Sequence, residues 1–64
     1  MILTTKQHDI LQYLAYGFSR TQVSQILHIK QGTLKNHLNS IYEKLTANNL
    51  SHALFIAFCK GIIE

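Results

Sequence analysis

The stretch "SRTQVSQILHIKQGTLKNHLNSIYEKL", residues 19 to 45, holds two helix patterns joined by a short turn. From Gln31 onward it reads as one helix with two unlike faces. Leu34, Leu38, Ile41 and Leu45 recur at the spacing of a single helical stripe, while Gly32, Asn36, Asn39 and Glu43 fall on the other side. A surface helix normally carries mixed Lys and Glu outward. This one offers two amides flanked by Lys35, His37 and Lys44, the donor and acceptor types that touch nucleic acid. Upstream, Ser19 stands as an N-cap with Gln22 at the reciprocal position, which predicts a short helix over about 20–27 with Val23, Ile26 and Leu27 inward. Only "HIK" separates the two, with Ile29 as the apolar plug of the turn. Helices joined so tightly cannot run as a long antiparallel pair. They fit a helix-turn-helix, whose second helix lies in the major groove. At about 1.5 Å per residue the second helix is roughly 22 Å long, more than the roughly 12 Å width of that groove.

On the N-terminal side, "LTTKQ" makes Thr4 an N-cap with Gln7 three residues on, and Leu3 is positioned for a hydrophobic staple with His8 or a neighbour. A helix over about 5–16 follows, with Ile10, Leu11, Leu14 and Ala15 as its apolar stripe. Gly17 supplies the left-handed stop, after which Phe18 folds back. On the C-terminal side "TANN" breaks the long helix, and Asn49 caps a fourth over about 50–60 that ends at Gly61. The expected fold class is therefore all-α, four short helices in one domain spanning residues 1–64.

Composition bounds the function. A chain of 64 residues buries only about 60% of the surface its unfolded form exposes. The single cysteine, Cys59, excludes an internal disulfide framework, and no charged segment followed by an apolar run marks a signal peptide. The longest apolar run, "ALFIAF" at 53–58, is far short of the roughly 20 residues that span a bilayer. The expected location is cytoplasmic, on the nucleoid when bound. Lys plus Arg outnumber Asp plus Glu by 6 to 3, and the isoelectric point of about 9.3 favours an anionic partner. The acidic residues Asp9, Glu43 and Glu64 are isolated, and no Pro, Ser/Gly linker or internal repeat marks a domain boundary.

The order of residues also resembles a known family. "LTTKQHDIL", "YGFSRTQVSQILHIKQGTLKNHL", "IYEKL" and "KGII" together are similar to the LuxR-type (GerE-like) helix-turn-helix domain. Its members read approximately L-T-x-R-E-x-E-V-L, G-x-S-x-x-E-I-A-x-x-L-x-I-S-x-x-T-V-K-x-H, I-x-x-K-L and G-x-I. The likeness covers nearly the whole chain with the block spacing kept, through Leu3, Thr4, Leu11, Gly17, Ser19, Ile29, Thr33, Lys35, His37, Ile41, Lys44, Leu45, Gly61 and Ile63, with Ile26 slightly offset from the family's strongest apolar sites. Departures stand out. Lys30 occupies the usual Ser position, so the N-cap of the third helix is altered, and Gly32 in its first turn lowers helix propensity by up to about 1 kcal/mol relative to Ala. The usual acidic pair of helix one becomes Gln7 and Asp9, and the usual Arg near the start of helix four becomes Leu50. An ion pair between those helices is expected to give way to packing.

The resemblance implies that the third helix recognises DNA, with Lys35, Asn36 and Asn39 at base edges. The chemistry agrees, since Asn bonds bidentately with adenine N6 and N7, and Lys donates to guanine O6 or N7. The plain alternative is a solvated polar face. Thr33, His37 and Lys44 on the flanks, with Ser19 and Arg20 at the start of helix two, are candidates for phosphates. Ser19 is already explained as a cap, and His37 has packing against a neighbouring helix as its alternative. In helix four, Leu50, Ala53, Leu54, Ala57 and Phe58 suffice for one inward stripe, leaving Phe55, Ile56 and Cys59 for another surface. The family's fourth helix is a dimer interface, so those three are expected to form a homodimer contact, with incidental exposure as the alternative. Two recognition helices related by a two-fold axis would read an inverted repeat.

The expected function is sequence-specific binding of double-stranded DNA as a transcription regulator, without catalysis or cofactor. His8, His28, His37, His52 and Cys59 lack metal-site spacing, and no phosphate-binding glycine loop or nucleophile elbow is present. The rival is a LuxR-like protein-interaction module that pairs with a larger regulator, as a heterodimer, and modulates it with little DNA reading. Family members usually carry a receiver or ligand-binding domain ahead of this module, so the chain is expected to be either a stand-alone regulator or an excised C-terminal domain.

Overall fold

The computed structural model describes residues 2–64. Each helix begins where a short polar side chain can satisfy the first free amides, with one exception. Thr4 accepts from the Gln7 amide at 3.1 Å while the Gln7 side chain accepts from the Thr4 amide at 3.1 Å, a reciprocal box that opens α1 (Thr5–Ala15). Ser19 and Gln22 repeat it at 3.1 and 2.8 Å to open α2 (Arg20–Ile26). Asn49 accepts from the His52 amide at 2.9 Å ahead of α4 (Leu50–Cys59). The exception is α3 (Gln31–Leu45), where Lys30 holds the N-cap position without a side-chain bond.

The helices stop where the backbone turns left-handed. Gly17 (φ +101°) and Gly61 (φ +71°) end α1 and α4, as the sequence predicts. His28 (φ 55°) and Thr46 (φ 56°) do the same after α2 and α3, although neither is glycine. At the helix-turn-helix corner the Ile29 amide reaches back to the Ser24 carbonyl at 3.0 Å, which locks the turn and seats Ile29 against the core. Tyr16, Leu27 and Lys60 are caps and not the last helical residues, so α1, α2 and α4 each end one residue before the expected limit.

The core is one cluster: Leu3, Ile10, Leu11 and Leu14 from the N-terminal segment and α1, Val23 from α2, Leu34, Leu38, Ile41 and Leu45 from α3, Ala53 and Ala57 from α4, and Ile63. All four apolar residues that define the inner stripe of α3 are buried. The two alanines let α4 lie close against α3. Beyond Gly61 the chain folds back over α1: Gln12 donates through Nε2 to the Glu64 carbonyl and accepts from the Glu64 amide, both at 3.0 Å. That pairing holds Ile63 in the core.

Three inward or outward assignments need correction. Ile26, expected inward, is 40% exposed. Val23 and Ser24 set the buried direction of α2, Leu27 lies between them, and Ile26 is roughly 110° away. Phe58, expected in the inward stripe of α4, is 64% exposed, and Ile56, expected outward, is half-buried against the core. Ala53 and Ala57 fix the inward axis there, and Phe58 stands roughly 120° from it against roughly 80° for Ile56. Of the two positions where packing between helices one and four is expected in place of an ion pair, Leu50 is half-buried on the core. At Gln7 the replacement is a set of hydrogen bonds to α3.

Candidate nucleic-acid interface

α3 carries two polar stripes. Lys35 and Asn36 are neighbours, each three or four residues from both Gly32 and Asn39, and all four are exposed, as is Glu43 one turn further on. The base-edge candidates Lys35, Asn36 and Asn39 thus share one open face. The second stripe is Thr33, His37, Ser40 and Lys44. Its first half is open, with Thr33 exposed and His37 half-buried. Its second half is held from within. Gln7, only 5% exposed, accepts from Lys44 Nζ at 2.8 Å and donates through Nε2 to Ser40 Oγ at 3.1 Å. Of the phosphate candidates, Lys44 therefore has its ammonium turned toward α1.

The start of α2 joins the same face. Gln31 donates through Nε2 to Thr21 Oγ1 at 3.0 Å, a cross-link between the two helices that no local sequence pattern announces. Beside it a cleft of about 260 Å³ is lined by Arg20, Gln31, Gly32, Leu34, Lys35 and Leu38. Its apolar residues are buried leucines, and Arg20 and Lys35 bring two cations to it. Ser19, exposed, uses its oxygen as the acceptor of the cap, which leaves its hydroxyl hydrogen free to donate outward. Among the described residues the one acid–base contact is His8 with Asp9 at 3.5 Å, on α1. Arg20 and Lys35 thus have no carboxylate competing for them, the arrangement a polyanion requires.

A separate apolar surface lies on α4. Phe55 is 66% exposed, and Phe58 and Cys59 are exposed beside it at three- and four-residue spacing, so the two rings and the thiol form one strip. The structure thus brings Phe58 to the surface expected of Phe55, Ile56 and Cys59. No helix of the described residues is long and apolar enough to cross a membrane, and no three metal-ligating side chains come together among them.

Comparison with known proteins matches this arrangement. Residues 1–57 fit the family model for bacterial regulatory proteins of the luxR family. The solved structure of the transcription factor GerE superimposes with a TM-score of 0.95 at 26% identity, covering 100% of this chain and 96% of that one. The response regulator ChrA of a heme-sensing two-component system superimposes with a TM-score of 0.90 at 36% identity, over 95% of this chain and 30% of that one. Among curated sequences, the transcriptional regulatory protein YdfI of Bacillus subtilis is 38% identical over 61 residues, 95% of this chain and 29% of its own length. The chain spans under a third of the length of such relatives, 27% for the transcriptional regulatory protein DegU of Brevibacillus brevis. With four helices, no strand among the described residues, and this likeness along its length, the chain belongs to the luxR family of bacterial regulatory proteins, as a GerE-type helix-turn-helix domain.

Proposed function

We propose that this domain binds double-stranded DNA sequence-specifically as the DNA-reading part of a transcription regulator, with α3 in the major groove. One observation carries the reading: the whole inner stripe of α3 is buried while Lys35, Asn36 and Asn39 stand exposed together on the outer one. In this reading Lys35, Asn36 and Asn39 contact base edges. Ser19, Arg20, Thr33 and His37 hold phosphates on either side, and Lys44 adds charge at a distance while bonded to Gln7. The domain, residues 1–64 as one unit, pairs through the exposed Phe55, Phe58 and Cys59 of α4, with the half-buried Ile56 only at the edge of that strip. A homodimer so formed reads an inverted repeat, with the spacing of half-sites set by its two-fold axis. The setting of such a regulator is the cytoplasm.

Replacing Lys35 and Asn36 together by Ala tests this. Binding to a library-selected duplex should fall by about thirtyfold or more, at about 1–3 kcal/mol for each base contact, with the mass in solution unchanged. Unaltered binding contradicts the role of α3.

The breadth of the exposed Phe55–Phe58 strip favours a second reading, in which the domain pairs with a larger regulator and modulates it without strong DNA reading. That reading predicts that Phe55→Glu abolishes regulation while the Lys35 and Asn36 variant retains it.

A further inference from the structure

Glycine inside a helix weakens it, and a helix keeps one where the backbone needs it or where a side chain would collide. Neither reason applies at Gly32. It lies in the first turn of α3 without the left-handed backbone of Gly17 and Gly61, and a methyl group there would meet nothing within 4 Å beyond its own turn of helix. Inside this chain, space for a side chain is simply unused. That space opens onto the cleft between Arg20 and Lys35, over the buried Leu34 and Leu38.

We infer that Gly32 is the point of closest approach for the DNA strand: a deoxyribose of the duplex backbone packs directly over it, in the cleft between Arg20 and Lys35. The inference rests on the DNA-binding reading above and adds a residue to it. The chemistry of the cleft matches a sugar–phosphate segment part by part. The sugar is an uncharged ring with C–H faces, suited to the uncharged glycine surface at the cleft. The phosphate on the Arg20 side meets a guanidinium that no carboxylate engages. On the other side Lys35 stands one helical turn beyond Gly32, where the strand gives way to base edges. A side chain at 32 would fill the volume the sugar occupies and lift α3 out of the groove. Gly32 thus gives up helix stability in exchange for depth of insertion.

The test is a graded series, Gly32→Ala and Gly32→Leu, measured for both thermal unfolding and DNA affinity. In the free protein both substitutions remove a poor helix former and meet open space, so the unfolding midpoint of Gly32→Ala should rise by about 2–5 °C. Affinity should move the opposite way, falling about threefold for Ala and about tenfold or more for Leu. The loss should appear on a scrambled as well as on a selected duplex, because every sequence carries the same sugar, and be the larger on the selected one, where lifting α3 also removes base contacts. Affinity equal to or above that of the unsubstituted chain in both variants overturns the inference, as does a lowered midpoint for Gly32→Ala. A loss confined to the selected duplex places a base, and not a deoxyribose, over Gly32 and also overturns it. If the unsubstituted chain binds neither duplex, the DNA-binding reading falls and this inference with it. Binding by the unsubstituted chain with no effect of the series removes the inference alone.

Discussion

Lys44 donates to the side-chain carbonyl of Gln7 at 2.8 Å, across 37 positions of sequence. The same amide receives the Thr4 N–H at the start of α1 and gives its own N–H to Ser40, so one side chain caps a helix and fixes α3 against it. A buried amide serving three partners is costly to delete, because each partner loses a hydrogen bond where water has poor access. Gln7→Ala should therefore destabilise the domain by about 2–3 kcal/mol in denaturant unfolding. Gln7→Glu should not. Its carboxylate keeps both acceptor roles, strengthens the bond to the Lys44 ammonium, and takes a proton bond from a rotated Ser40 hydroxyl. Stability equal to the original or higher by up to about 1 kcal/mol is expected.

Two turns carry left-handed residues that are not glycine. Thr46 (φ 56°) is β-branched, the type least suited to that region, and it is exposed, so removing its side chain sacrifices little packing. Thr46→Gly should raise stability by about 1 kcal/mol, about 4–8 °C in unfolding midpoint for a domain of this size. His28→Gly should act in the same direction at the helix-turn-helix corner. Gly17→Ala (φ +101°) should do the reverse, by about 1 kcal/mol or more.

Arg20 and Asn39 separate affinity from sequence reading. Arg20→Ala should weaken binding to selected and scrambled duplexes alike and reduce the slope of log affinity against log salt by about 1. Asn39→Ala should leave the slope unchanged and erase preference at one base pair, worth about 1–3 kcal/mol. Fluorescence anisotropy over a salt series measures both.

On α4 the exposed and buried positions should answer differently. Phe55→Glu places a charge in the apolar strip and should convert a dimer to a folded monomer in sedimentation equilibrium, with helicity by circular dichroism retained. Ala53→Leu inserts volume into the contact between α3 and α4, where Ala53 is fully buried, and should lower stability by about 1–3 kcal/mol.

The sequence makes the helices legible because their ends are written locally. Thr4 with Gln7, Ser19 with Gln22, Asn49, Gly17 and Gly61 each act within a few residues of themselves. The outward stripe of Lys35, Asn36 and Asn39 is legible for the same reason, as periodicity along one helix. Periodicity leaves the azimuth of a uniformly apolar helix open, which is why Phe58 and Ile56 stand on different sides of α4 than expected; it took Ala53 and Ala57 seated on α3 to fix the rotation. The engagement of Lys44 by Gln7 and the Gln31–Thr21 link join residues far apart in the chain or on separate helices, and no spacing rule reaches them. The cleft beside Gly32 belongs to the same class, since Arg20 enters it from α2.

Anisotropy titration of the chain against a library-selected duplex and a scrambled one of equal length, each across a salt series, tests whether α3 reads DNA. A DNA-reading α3 should bind both with a steep salt slope and prefer the selected duplex by well above tenfold, more than about 1.4 kcal/mol. Equal and feeble binding to both duplexes by a folded sample would contradict it and turn attention to a protein partner for α4.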